Sequence, residues 1–201
     1  THNLVNNEFL KKLKPNVVLI NTSRGEVIDE QALISFKKRN PESTLILDVW
    51  RDEPNINLDL LKQVFIGTPH IAGYSYDAKI KATEILFYSL QKFYKTNFDC
   101  PILAREGITP FVPNVSDLDY PIESIISQYW NILGDNISFS EYKSLADNER
   151  SIFYDSLRKN YPIRYEFQSG IIDINKQSES PTFNDRTKSD LRKLGFKLKN
   201  T

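Results

Sequence analysis

No methionine occurs in the 201 residues, and Cys100 is the only cysteine. A lone thiol excludes an internal disulfide framework and fits a reducing compartment, so the expected location is the cytoplasm. With no histidine or second cysteine near it, Cys100 reads as inert, and no metal site is expected. The missing methionine, absent even at position 1, makes the chain an expected piece of a longer protein. Net charge is lacking too: 26 Lys and Arg balance 26 Asp and Glu, so no global field draws nucleic acid or an anionic membrane. The longest apolar runs are about six residues against the roughly 20 that a membrane helix needs. Nothing resembles a charged-then-apolar leader. The seven glycines are scattered and never form Gly-x-Gly-x-x-Gly.

What is present alternates. Asn6 or Asn7 can cap a short helix running to residue 13. Residues 17–20 (VVLI) form a continuous apolar run, the mark of a strand buried on both faces in a parallel sheet. Asp29 can cap a helix to residue 39, with Ala32, Leu33 and Phe36 inward. A second buried strand is predicted over 44–49 (TLILDV), a short helix over 58–63 and a brief third strand over 64–66. Buried strands alternating with amphipathic helices indicate a doubly wound α/β sheet. Three strands are fewer than the six of a complete dinucleotide-binding sheet.

A long amphipathic helix is predicted over 77–94, with Ile80, Thr83, Phe87, Leu90 and Tyr94 along one face. The proline-containing stretch 97–114 reads as a boundary. Helices are expected over 121–133 and 148–159, a strand or hairpin over 163–174, a polar loop over 177–187, a short helix over 189–194 and a final edge strand near Phe196 and Leu198. The expected division is therefore residues 1–97, ending in the helix 77–94, followed by a small α+β unit at 98–201.

Chemistry concentrates after the strands. The turn Asn21-Thr22-Ser23-Arg24-Gly25 follows the first, and Arg24 there offers a planar fork suited to a carboxylate. The plain alternative is a surface arginine paired to Glu26 or Asp29. Asp48 ends the second strand and Glu53 follows it; either can be a ligand-contacting acid or a structural one. His70, one of two histidines, lies in Ile66-Gly67-Thr68-Pro69-His70-Ile71-Ala72-Gly73-Tyr74 at the end of the third. Histidine titrates near neutrality and suits proton transfer in alcohol oxidation. His2 reads as structural.

These three segments, in this order, resemble the D-2-hydroxyacid dehydrogenase family. The later Leu157-Arg158-Lys159-Asn160-Tyr161, with Arg164 and Glu166, is similar to a branch of that family carrying an extra C-terminal dimerisation domain. The resemblance implies a partial Rossmann-type doubly wound parallel sheet followed by a small α+β dimerisation domain at 98–201. It implies NAD as cofactor, a small phosphorylated 2-hydroxy acid as substrate and a homodimer, with no nucleic-acid or membrane partner. His70 would accept the hydroxyl proton, Glu53 would pair with it, and Arg24 would clamp the substrate carboxylate. Asp48 and Gly73 would contact NAD, and Tyr74 the substrate. The family's glycine-rich turn and substrate domain precede these motifs and are not in this sequence, so the chain alone is expected to be inactive. The alternatives are a related dehydrogenase of another 2-hydroxy acid, phosphoglycerate or glycerate, and a noncatalytic corepressor-like dinucleotide-binding relative.

Overall fold

The computed structural model describes residues 1–98, 122–173 and 184–199. Cys100 and most of the stretches 97–114 and 177–187 lie outside the described residues. The chain divides into two compact units, the first comprising 1–72 with 132–161 and the second 73–131 with 162–201. This line differs from a contiguous division at residue 97, because the segment 132–161 lends its aromatic side chains to the core of the first unit.

In the first unit, α1 (Asn7–Leu10) is capped by the Asn6 side chain, which accepts from the Phe9 N–H. Three parallel strands follow in the spatial order β1 (Val18–Asn21), β2 (Thr44–Leu47), β3 (Ile66–Gly67), in register Asn21 opposite Leu47 and Leu47 opposite Gly67. The connections are helical: α2 (Glu30–Arg39), capped by Asp29, joins β1 to β2, and α3 (Leu58–Leu61), capped by Asn57, joins β2 to β3. Each cap supplies an oxygen to a helix-start N–H with no intrahelical partner.

The expectation that the first strand is buried on both faces is corrected. Among the described residues β1 lies at the edge of the sheet, and Val18 and Ile20 on one face are 57% and 61% exposed while Asn21 on the other is buried. Val18 and Ile20 lie on the face opposite Leu19 and Asn21, which pair in register with the core residues Leu45 and Leu47. That core gathers Leu10, Leu33, Phe36, Leu45, Leu47, Trp50 and Leu61. Phe139, Tyr142 and Tyr154 complete it from α6 (Ile132–Ser140), the 3-10 turn Glu141–Ser144 and α7 (Asp147–Lys159).

In the second unit, α4 (Tyr76–Tyr94) starts at the Ser75 cap, as the pattern over 77–94 predicts, but none of its residues is buried. Its first turn is tied locally, with Asp77 accepting from the Glu166 N–H and the Ser169 hydroxyl. α5 (Ile122–Tyr129) ends before Trp130, so the helix expected over 121–133 is two helices, and α6 belongs to the other unit. β4 (Ile171–Asp173) pairs in parallel with β5 (Lys197–Lys199), not as a hairpin within 163–174. α8 (Asp185–Leu194) joins them, beginning at Asn184 and ending at Gly195, whose φ of 104° suits glycine. Ile125, Ile172, Leu191 and Phe196 form the core here.

Two contacts lock the strand-end loops of the first unit. A β-carbon on Gly25 would lie 2.1 Å from the Trp50 carbonyl carbon and oxygen, so only glycine lets the turn after β1 lie against the chain after β2. Glu30 reaches across from α2, its carboxylate accepting from the Arg51 N–H at 3.0 Å. Gly25→Ala should destabilise the protein by about 3 kcal/mol, at the upper end for overpacking because the opposing atoms are backbone; an unchanged melting midpoint would contradict this. Burial pushes the Glu30 carboxyl up from 4.5, against the opposing Arg51 hydrogen bond. A carboxyl raised by folding favours the folded state at low pH, and that contribution is lost as pH rises through the raised value. Glu30→Gln keeps an acceptor for Arg51 without the charge. Its melting midpoint, followed by circular dichroism, should match the parent near pH 3 and exceed it by a few degrees near pH 7, as order-of-magnitude expectations.

Candidate active site

In a parallel sheet all carboxyl ends point one way, so the loops after β1, β2 and β3 emerge together, the usual place for ligand chemistry in α/β folds. These loops carry Arg24, then Asp48 and Glu53, then His70. The sequence order of the three motifs becomes a spatial row.

The loop after β3 is held by Asp48. This residue is 3% exposed, and its Oδ1 accepts from the Thr68 hydroxyl at 2.6 Å and the Ile71 N–H at 2.7 Å. Its Oδ2 accepts from the Ala72 N–H at 3.0 Å. The Asp48 carbonyl takes the His70 N–H at 2.7 Å. One residue thereby fastens the chain on both sides of His70, whose φ of 56° lies in the left-handed region. Few non-glycine residues rest there, and such backbone persists only when its surroundings over-determine it.

Glu53 and His70 meet directly. His70 Nδ1 lies 2.8 Å from Glu53 Oε2, with the side chains 29% and 21% exposed. The pair is partly shielded yet open to a solute. Glu53 Oε1 accepts from the Trp50 N–H at 2.8 Å, which fixes the second oxygen. With the carboxylate as acceptor, Nδ1 carries the proton and Nε2 is left as the basic nitrogen. The carboxylate orients the ring and balances the positive charge that a proton on Nε2 would bring.

Arg24 is in place but not joined to this pair. It is exposed, and its Nη1 donates to the Ser23 carbonyl at 2.6 Å. Among the described residues it makes no ion pair with Glu26 or Asp29. Its turn is built by Asn21, whose amide donates to the Arg24 carbonyl and whose Oδ1 accepts from the Ser23 N–H and hydroxyl. Gly73 and Tyr74 fall in the second unit. A β-carbon on Gly73 would meet nothing within 4 Å, and the Lys79 ammonium lies 4.4 Å from the Tyr74 ring centroid.

Several residues around the pair carry no local sequence signal. Trp50 is one: its indole N–H donates to the Thr68 carbonyl at 2.9 Å, so it touches both the Glu53 and His70 loops. Tyr154 is another. Its side chain is fully buried, and burial, then the nearby Glu53 carboxylate, drives its phenol pKa upward. Tyr142 and Asn136 also reach these loops from the segment 132–161. Only the size of Trp50 and the aromatic spacing of 139, 142 and 154 hint at the core these side chains make.

Residues 1–72 match the family described as D-isomer specific 2-hydroxyacid dehydrogenase, NAD binding domain. The erythronate-4-phosphate dehydrogenase of Cellvibrio japonicus is 35% identical over 88% of this chain and 49% of its own length. The proteins of that name from Marinobacter nauticus and Wigglesworthia glossinidia brevipalpis are 31% and 34% identical over 99% of this chain. The chain spans about half the length of these relatives, 51% and 50% for the last two. Parallel strands, strand-end loops and these matches together show a partial Rossmann-type α/β fold of the NAD-binding kind. Residues 1–72 are thus similar to the NAD-binding domain of the D-isomer-specific 2-hydroxyacid dehydrogenase family.

Proposed function

We propose that the full-length protein oxidises 4-phospho-D-erythronate to (R)-3-hydroxy-2-oxo-4-phosphonooxybutanoate with NAD, a step of pyridoxal phosphate synthesis in the cytoplasm. The observation that carries this reading is the Glu53–His70 contact of 2.8 Å at the carboxyl ends of the parallel strands. The similarity to erythronate-4-phosphate dehydrogenases supports the choice of substrate.

His70 accepts the proton of the substrate 2-hydroxyl at Nε2, and Glu53 holds the ring through Nδ1. Arg24, exposed and free of ion pairs among the described residues, clamps the substrate carboxylate bidentately. Tyr74 contacts the substrate. NAD, when bound, supplies the hydride acceptor. The residues present fit it: among the described residues Asp48 Oδ2 accepts one N–H, and a carboxylate oxygen has a second lone pair to offer a carboxamide. Gly73 contacts NAD. No helix among the described residues is long and apolar enough to cross a membrane. We further assign dimerisation to residues 98–201, so light scattering of the intact protein should give twice the chain mass; a monomer would refute this.

In the full-length protein, His70→Ala should lower turnover by about 100-fold or more, the usual contribution of a positioned general base, while NAD affinity stays within a few fold. Unchanged turnover would remove His70 from the role of base. A substrate panel completes the test. Preference for phosphoglycerate or glycerate over 4-phosphoerythronate would place the protein with another member of the family.

A further inference from the structure

The most informative contacts outside the strand-end loops come from a distant part of the chain. The Tyr142 hydroxyl, in the 3-10 turn after α6, donates to the Pro54 carbonyl at 2.8 Å and accepts from the Ile56 N–H at 3.1 Å. It is the clasp of the loop that presents Glu53, and the residue is 1% exposed. Earlier in the same segment, the Asn136 side-chain oxygen accepts from the Gly67 N–H at 2.8 Å. Gly67 ends β3, three residues before His70. Between them Phe139 packs on Trp50, with ring centroids 5.7 Å apart, and Trp50 itself holds Glu53 through its N–H. The segment therefore grips the Glu53 loop, the His70 strand and the residue joining them.

We propose that Tyr142 and Asn136 are positioning residues that set the distance between Glu53 and His70. Each acts at a backbone group flanking one member of the pair, and neither touches a reacting atom. Within the loop the turn from Asp52 to Asn55 and the Trp50–Glu53 bond close on themselves, leaving the Pro54 carbonyl and Ile56 N–H dependent on Tyr142. Without the hydroxyl the buried Ile56 N–H and the part-buried Pro54 carbonyl lose their partner, and the N–H can regain one from water only if the loop moves outward. Outward motion carries Glu53 away from Nδ1 and leaves the ring free to turn. A displacement of about 1 Å in a catalytic group can lower a rate by roughly 100-fold, so small motion suffices.

This inference rests on the proposed function for its kinetic arm only. Tyr142→Phe, Asn136→Leu and Asn136→Asp in the full-length protein are compared by turnover, by KM for both substrates, and by the downfield Nδ1–H proton resonance of His70, identified by its loss in His70→Asn. Tyr142→Phe should lower kcat by about 10- to 100-fold with KM for NAD within roughly twofold, and should weaken the resonance at temperatures where the protein remains folded. Asn136→Leu should act in the same direction, and Asn136→Asp, which keeps an acceptor for Gly67, should restore both signals. Turnover and resonance at parental levels in folded Tyr142→Phe would overturn the inference. So would a fall in kcat matching only the unfolded fraction. A parent protein inactive on every 2-hydroxy acid, with the resonance present and lost in Tyr142→Phe, would refute the proposed function and leave the positioning role supported.

Discussion

The buried Asp48 carboxylate is the constraint on which the strand-end loops depend. It takes three hydrogen bonds from residues 68 to 72, and its own carbonyl takes a fourth. A carboxylate removed from water must be met by donors, and here two of them are backbone N–H groups of the segment it organises. The left-handed φ of His70 follows. The backbone bends there because Asp48 reaches both sides of the bend, and the bend aims the imidazole at Glu53. Binding energy is not stored in the His70–Glu53 pair alone; it is distributed through the bonds that allow the pair no other arrangement.

Trp50 makes that arrangement cooperative. Its backbone N–H holds Glu53, its indole holds Thr68, and its carbonyl lies where Gly25 excludes any side chain. The three strand ends therefore meet at one aromatic residue that is 2% exposed. Moving any loop strains the other two. A core residue is here part of the site's geometry, which is why its ring is packed by Phe139 instead of by strand neighbours alone.

What the sequence reveals is local. Residues 17–20, 44–49 and 64–66 mark the three strands because apolar β-branched runs are legible one element at a time. Arg24, Glu53 and His70 stand out because each follows a strand within a turn motif. Asp48 is legible as an acid at a strand end, yet its main observed work, bracing the chain around His70, depends on where residue 71 comes to rest. Tyr142 and Asn136 are illegible for a stronger reason. They contact residues 69 and 86 positions away, and neither lies in a pattern that distinguishes a clasp from an ordinary core side chain. The one-sided burial of β1 is hidden similarly, since VVLI reads the same in a central strand and an edge strand.

The distance in sequence between Tyr142 and Glu53 has a physical consequence. A site assembled only from neighbouring loops needs nothing beyond its own sheet to hold it. Here the clasp arrives from beyond residue 131, after a full segment that belongs to the other compact unit. In the folded protein the Pro54 carbonyl and Ile56 N–H are met by the same segment that packs Phe139 and Tyr154 into the core with Trp50. Core burial and site geometry are thus coupled: apolar area supplies most of the driving force, and the polar contacts decide which single geometry that area secures.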